Sequence, residues 1–403
     1  MKKRYRVLVS DSFQLIFLGL VYAWSIFKKP LAAVYGWNDS QLTWTFSISM
    51  FMFCIGGFAG AQISKRVPHM VITWICAVLM GGSFVLMSTM TALWQIYVLY
   101  GVIIGFSVGA VYNCILATGN RWFPDKGGLI AGLLLMFFGA GSLVLSPLSS
   151  WLMESFGIKH AFMIIGIVFL LVFIMGGFFV VAPNEKESEE LKSLLAKKEA
   201  AAKTMPPDFE TKEMLKAPSF WLYMLWCIMV SSIGLALLGQ IATISGFVGL
   251  TTAKAALMVS LFAVFNGLGR LFFGGFYDRR GRLITMTIFG IFFILGGIAL
   301  FIGVTRGAAV PVIVSFVLFG LAYGGVTPTN ANFARSYFGN KNYATNFSII
   351  NFNLLVTVFL GQFVGSTLFV KTGNYTATAI AILILSVISL ILQFFIKPTA
   401  KPE

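Results

Sequence analysis

Apolar residues fall in long blocks separated by short polar stretches. A helix that crosses a bilayer needs about 20 such residues. Blocks of that size lie near 8–27, 41–63, 69–90, 93–118, 129–153 and 161–182. A polar stretch over 184–217 follows, and six more blocks lie near 219–244, 254–276, 283–304, 309–332, 344–370 and 376–396. The pattern predicts an all-α membrane protein with twelve transmembrane helices, numbered helix 1 to helix 12 in that order. They divide into a six-helix bundle over 1–183, a linker over 184–217 and a second six-helix bundle over 218–403. The linker is rich in Glu, Lys and Ala, which suits a surface helix ended by Pro206-Pro207. A plain connector is its simpler reading and a regulatory element the other.

The two halves echo each other. Gly60, Lys65 and Arg66 stand 214 residues before Gly274, Arg279 and Arg280, and Arg121-Trp122-Phe123 stands 214 residues before Arg335-Ser336-Tyr337. One offset at two separate loops is the mark of a duplicated unit. Such repeats, rocking about a midplane site, are how many secondary transporters are built. Charge placement orients the chain. With both termini cytoplasmic, 22 Lys and Arg fall on the inside and 6 on the outside, namely Lys28, Lys29, Lys159, Lys254, Arg306 and Lys371. That asymmetry is the positive-inside signal. It predicts a multi-pass protein of a prokaryotic cell (inner) membrane, read as a monomer.

Composition sharpens this. Of 403 residues 58% are hydrophobic and 11% charged, against about 25% charged in a soluble domain. The net charge of +15 invites a nucleic-acid partner, but the charges sit in short loops, where they set topology. The expected partners are therefore the lipid bilayer and a small organic anion, not nucleic acid. Cys54, Cys76, Cys114 and Cys227 all lie in apolar blocks without CxxC spacing, so they read as packing residues, with no disulfide and no metal. His69 and His160 stand at block boundaries, which argues against a buried histidine relay. Lys2-Lys3-Arg4-Tyr5-Arg6 runs straight into a full spanning block, unlike a cleavable leader. No cofactor site is expected.

Arg270 lies well inside a spanning block, roughly 12 Å along the helix from Asp278. An arginine there either snorkels to the near interface or faces a polar cavity or partner. The cavity reading is preferred, because Arg270 is read as the lone charge deep in any block. Other polar groups at lipid depth are Tyr22, Tyr112, Asn113, Gln240, Asn266, Tyr323, Asn351 and Asn353. Each is about as often an interhelical hydrogen bond as a ligand. Asn266 lies four residues before Arg270, on the same helical face. Arg270, then Tyr112 and Tyr323, are the leading substrate contacts, with Asn266 orienting the arginine. Lys28, Lys29 and Lys254 form either an anion-gathering mouth or plain interface anchors.

Gly274-x-x-x-Asp278-Arg279-x-Gly281-Arg282, between helices 8 and 9, resembles the loop signature of the major facilitator superfamily. Its first-half copy, Gly60 to Arg66, has Ser64 where the aspartate belongs. The resemblance implies the major facilitator fold. It also implies a conformational latch at Gly274, Asp278, Arg279, Gly281 and Arg282, whose ion pairs hold one conformation and release in the other. Tyr22-Ala23-Trp24-Ser25-Ile26-Phe27, Tyr112 with Asn120-Arg121-Trp122-Phe123-Pro124-Asp125-Lys126, and Asn266-Gly267-x-x-Arg270 resemble the oxalate:formate antiporter branch, relatives of the monocarboxylate porters. That likeness implies a carboxylate substrate at the interface of the halves, with Arg270 as the binding cation and Tyr112 as an aromatic wall. Two positions depart from the oxalate pattern: Ile350 stands where that pattern has a second cation, a lysine, and Phe138 replaces a hydroxyl-bearing aromatic. Asn266 stands where the animal porters have an aspartate.

One arginine matches one carboxylate through two parallel hydrogen bonds, so a monocarboxylate such as lactate, pyruvate, formate, acetate or glycolate is expected. A lipophilic-cation exporter would need a carboxylate at depth. Asp11 and Glu154 are read at block ends, which leaves that class unsupported. An enzyme would need a nucleophile–base pair, and none is spaced for it. A sensor on the transporter fold stays open, as do an oxalate-type dicarboxylate:formate antiporter and a proton-coupled symporter. With no titratable carboxylate read at depth, exchange of one anion for another is the expected cycle.

Overall fold

The structure, a computed structural model, describes residues 2–191, 208–362, 364–365 and 368–398. All regular structure among them is helical. Among the described residues, ten helices are long and apolar enough to cross a membrane. Two of these, Pro124–Gly177 and Leu257–Arg306, each contain a glycine with left-handed φ, Gly157 at 77° and Gly281 at 73°. Glycine adopts positive φ without steric cost, so each glycine turns one run into two helices. Twelve spanning helices result, as the apolar blocks predicted.

Helix 1 outruns its apolar block. It begins at Lys2, runs to Leu18, passes through a 3-10 stretch Gly19–Ala23 and continues over Ser25–Tyr35. Helices 2 and 3 are Asp39–Ile63 and His69–Met87. Helix 4 covers Leu93–Trp122 with a π stretch at Tyr97–Ile104. Helices 5 and 6 are residues 127–156 and 158–177. Helix 7 is Pro218–Leu238 followed by Ile241–Phe247, and helices 8 and 9 are residues 252–280 and 282–306. Helix 10 is Ala309–Phe338, helix 11 is Tyr343–Ile350 then Asn353–Gln362, and helix 12 is Thr376–Leu392. Local chemistry sets several starts. At helix 2 the Gln41 N–H donates to Asn38 Oδ1 (2.8 Å) and the Asn38 N–H to Gln41 Oε1 (3.0 Å), a capping box that satisfies two end donors.

The chain forms two compact units. One holds Met1–Gly127 with Phe137–Met205, the other Gly128–Met136 with Pro206–Glu403. The opening turns of helix 5 thus pack with helices 7–12. Each unit has its own aromatic core. In the first, Trp24 lies 4.4 Å from Tyr100 and Phe27 lies 5.4 Å from Phe162, centroid to centroid. In the second, Tyr223 stacks on Phe333 at 3.6 Å and Trp226 meets Phe289 at 5.5 Å. Small residues let helices close on one another where lipid gives no hydrophobic drive. A Cβ on Gly56 of helix 2 would strike the Phe106 backbone of helix 4. All four cysteines are buried free thiols.

The predicted linker is only in part a connector. Residues 185–191 are helical, while 192–207, including Pro206-Pro207, lie outside the described residues. From Asp208 onward the chain is bound into the second unit. The Phe209 N–H donates to the Phe338 carbonyl (3.0 Å), and Phe209 and Met214 are buried. Asp208 Oδ1 accepts the N–H groups of Asn340 (2.8 Å) and Lys341 (3.0 Å). Lys341 pairs with Glu210 at 2.8 Å. The charged start of helix 1 is likewise fixed, with Arg4 paired to Asp125 (2.8 Å) and Lys3 to Glu187 (2.9 Å).

Candidate functional site

Three helices are interrupted at or beside candidate residues. Helix 1 tightens into its 3-10 stretch around Tyr22, helix 7 breaks at Gly239-Gln240, and helix 11 breaks at Asn351-Phe352. Irregular backbone at membrane depth persists only where protein buries it or it lines a cavity. These breaks stand beside Tyr22, Gln240 and Asn351.

Helix 8 places the arginine. Arg270 Nε donates to Asn266 Oδ1 at 3.2 Å, and Nη1 donates to the Leu135 carbonyl of helix 5. Asn266 thus orients the guanidinium from the turn below, as the four-residue spacing predicted. Arg270 Nη2 has no hydrogen-bond partner among the described residues, which leaves part of the planar fork for a carboxylate. Helix 10 lies against this stretch: a Cβ on Gly324 would stand 3.1 Å from the Arg270 backbone nitrogen. That contact brings the adjacent Tyr323 to the same level, where its ring covers Gly234 and lies 6.5 Å from Phe262.

In the first unit Tyr112, expected as an aromatic wall, lies in a cluster of rings. Phe138 meets Tyr22 edge-on at 5.1 Å and Tyr112 at 4.8 Å. Tyr112 is buried, whereas Tyr22 is 39% exposed. Phe53 of helix 2 completes the group, 5.1 Å from Tyr112 and 6.1 Å from Phe138. Neither Phe53 nor the Leu135 carbonyl was singled out from sequence. One is a phenylalanine among 41, and the other is a backbone group without a signature.

Other candidates have structural duties. Gln240 Oε1 accepts from Thr243 Oγ1 (2.8 Å) and from the Tyr375 hydroxyl (3.0 Å), tying the break in helix 7 to the start of helix 12. Ile350 is fully buried, and its carbonyl accepts from Asn353 Nδ2 at 2.7 Å. Asn113, Asn351 and Asn353 are buried as well.

The residues of the Gly274–Arg282 signature, expected to form a latch, sit around the helix 8–9 corner. Asp278 Oδ1 pairs with Arg335 of helix 10 at 2.8 Å, and Oδ2 accepts the Leu129 N–H at 3.0 Å, at the start of helix 5. A carboxylate there satisfies an end donor and opposes the positive pole of the helix. Below it the two helices touch through glycine: a Cβ on Gly128 would lie 2.5 Å from the Gly274 carbonyl, and one on Gly132 would strike that of Arg270. Arg282 instead donates to the Gln393 carbonyl at 2.9 Å, and Arg279 is exposed.

Two readings are corrected. Asp11 is not at the edge of its helix: with helix 1 beginning at Lys2 it lies within the span Lys3–Ala23, fully buried. Arg270 is therefore not the lone charge at depth. His69 stands at a helix start as expected, but its ring is buried and its Nδ1 lies 2.8 Å from Thr118 Oγ1.

A family model described as Major Facilitator Superfamily matches residues 12–361. An uncharacterized MFS-type transporter of Escherichia coli, YhjX, is 24% identical over 350 residues, 87% of this chain and 84% of that protein. The oxalate:formate antiporter of Oxalobacter formigenes is 28% identical over 335 residues, 81% of this chain and 76% of that protein. Monocarboxylate transporter 13 of Rattus norvegicus is 20% identical over 376 residues, 93% and 84% of the two chains. Among solved structures, a double-tryptophan mutant of XylE is similar with a TM-score of 0.76 at 14% identity, over 100% of this chain and 98% of that one. The proton:xylose symporter XylE bound to a bromodeoxyglucose gives 0.70 at 15% identity, over 98% and 95%. At such identities these structures show the fold alone.

Proposed function

We infer the function from membership and site together: the chain belongs to the major facilitator superfamily, and its site suits a secondary transporter of small monocarboxylates that works by alternating access. The observation that carries this is the arginine at depth, oriented by Asn266 and holding an unpartnered edge. A planar guanidinium matches one carboxylate through two parallel hydrogen bonds. Tyr22, Tyr112 and Phe138 of the first unit are proposed in their own right as substrate contacts, for the apolar surface of their aromatic cluster. Two relatives are named for small carboxylates, which supports the same substrate class.

A second reading, an oxalate-type antiporter, draws on the relative from Oxalobacter formigenes. Ile350 speaks against it, because a dianion there lacks its second cation in a low-dielectric environment. Asp278, with Gly274 and Gly281, serves as a latch in this reading: its bonds to Arg335 and Leu129 form in one conformation and part in the other. We place the chain as a monomer in a prokaryotic inner membrane, as its bacterial relatives suggest, with both termini cytoplasmic, as its charge asymmetry favours.

A thermal-shift screen of the purified protein against lactate, pyruvate, formate, acetate, glycolate and oxalate tests the substrate class. A ligand bound only to the folded state raises apparent stability. Counterflow into preloaded vesicles then separates transport from sensing. Stabilisation by oxalate alone would overturn the monocarboxylate reading in favour of the antiporter. Binding without counterflow would make the protein a sensor.

A further inference from the structure

Asp11 is fully buried in helix 1, and neither of its carboxylate oxygens has a hydrogen-bond partner among the described residues. It lies roughly 12 Å along the helix from Lys3. One turn on, Gln14 is also fully buried, and its Oε1 is unpartnered too. Three acceptor oxygens thus share one helical face with no donor to meet them. An ionised carboxylate so placed carries its whole desolvation cost uncompensated.

Among the described residues, no neighbouring element supplies a partner. Helix 1's own Arg4 and Lys3 are paired with Asp125 and Glu187. Helix 4 carries Tyr97, Tyr100, Tyr112, Cys114 and Arg121, helix 3 carries His69 and Cys76, and helix 5 carries Glu154 near its far end. Helix 6 has no titratable side chain between 161 and 177. It meets helix 1 through Gly176 against Gln14 and Phe169 against Phe17. None of these groups bonds to Asp11 among the described residues.

We propose that Asp11 is the proton-binding group of the transport cycle, with Gln14 accepting the bond that the protonated carboxyl donates. One proton adds to one carboxylate oxygen, neutralises it and supplies the missing donor. The proposal rests on the transport reading above, and charge balance extends it. With Asp11 ionised, its charge cancels that of Arg270 and the empty carrier is neutral. With a proton on Asp11 and a monoanion on Arg270, the loaded carrier is neutral again. An anion alone or a proton alone leaves a net charge, which hydrocarbon penalises. The neutral states reorient, so one proton accompanies one monocarboxylate. This position is distinct from Asn266, whose amide does not titrate.

The test uses full-length protein in liposomes and whichever labelled monocarboxylate among lactate, pyruvate, formate, acetate and glycolate gives counterflow. An inward proton gradient is expected to drive net uptake into empty vesicles and an uncoupler to abolish it. Asp11→Asn keeps the carrier in its protonated charge state. It is expected to lose net uptake by about tenfold or more, because the empty form now carries a charge, while counterflow persists. Asp11→Glu should restore part of the net uptake. Infrared pH-difference spectra of the substrate-free protein supply a second readout: a protonated-carboxyl band present in the wild type and missing in Asp11→Asn. Wild-type counterflow without proton-driven uptake overturns the proposal and leaves the transport reading standing. So does uptake driven by sodium instead, undiminished proton-driven uptake in Asp11→Asn, or a carboxyl band that is absent from the wild type or survives in the variant. Failure of counterflow for every probe defeats the transport reading instead, and the infrared band then decides Asp11 alone.

Discussion

Replacing Arg270 by lysine keeps a positive charge and removes the planar fork. Lysine at that position cannot donate to both Asn266 and a carboxylate in the geometry that Arg270 holds. Arg270→Lys should therefore weaken monocarboxylate binding by about tenfold or more, and Arg270→Gln should abolish it while the protein folds. Ligand-dependent thermal stabilisation measures both, and stabilisation unchanged in Arg270→Gln would remove Arg270 from the site. Ile350→Lys asks the reverse question. Ile350 is fully buried, so a lysine there needs an anionic partner or costs several kcal/mol. Dicarboxylate binding is expected to appear and monocarboxylate binding to weaken, read by competition between labelled monocarboxylate and oxalate. Unchanged preference would place Ile350 away from the substrate. At this scale the sequence singled out Arg270 and Asn266, because a charge or amide at lipid depth is conspicuous, and the four-residue spacing anticipated the hydrogen bond between them. It missed the depth of Asp11, because the basic residues ahead of it look like a loop. The helix includes them, since Arg4 and Lys3 find carboxylates far away in sequence.

Between elements, the contact of helix 5 with helix 8 depends on two features of different legibility. The Gly274–Gly281 signature was plain in the sequence. That Asp278 reaches Arg335 and the Leu129 N–H was not, since both partners are more than 50 residues away. Asp278→Asn keeps the shape and removes the charge. It should lower substrate-free stability by about 1–2 kcal/mol, the range for a helix-end bond with a charged acceptor, seen as a lower melting midpoint. An unchanged midpoint would mean that solvent screens the pair. The end of the linker gives a parallel case. Phe209 and the Met214-Leu215 pair are apolar residues in a polar stretch, too few for a periodic signal, and only the fold shows Phe209 and Met214 buried. Asp208→Ala deletes the acceptor for the Asn340 and Lys341 amides. Faster hydrogen exchange confined to those two amides and the start of helix 11 is expected. Uniform exchange across the second unit, or none, would count against a local clasp.

Across the whole molecule the twelve apolar blocks were legible because lipid demands uninterrupted hydrophobic length. The joints were less so: helices 5 and 6, and helices 8 and 9, follow one another through a single glycine rather than a loop. Arg270 and Asp11 are two charges at depth within the spanning helices. Their balance makes a prediction that stands whether or not Asp11 carries the proton. A monocarboxylate cancels the charge of Arg270, so each loaded crossing in a counterflow experiment returns the same charge that the opposite crossing moved. Displacing one uncompensated charge through a membrane potential costs about 2.3 kcal/mol per 100 mV. That cost cancels when equal loads cross in both directions. Clamping proteoliposomes with a potassium diffusion potential of either sign should therefore leave monocarboxylate counterflow within about twofold of its rate at zero potential. Counterflow of a monocarboxylate against a dianion moves one net charge per turn and should respond steeply to the same clamp. A strong potential dependence of the monocarboxylate exchange would mean that the inward and outward crossings carry unequal charge, and the balance between Arg270 and its anion would no longer describe the loaded carrier.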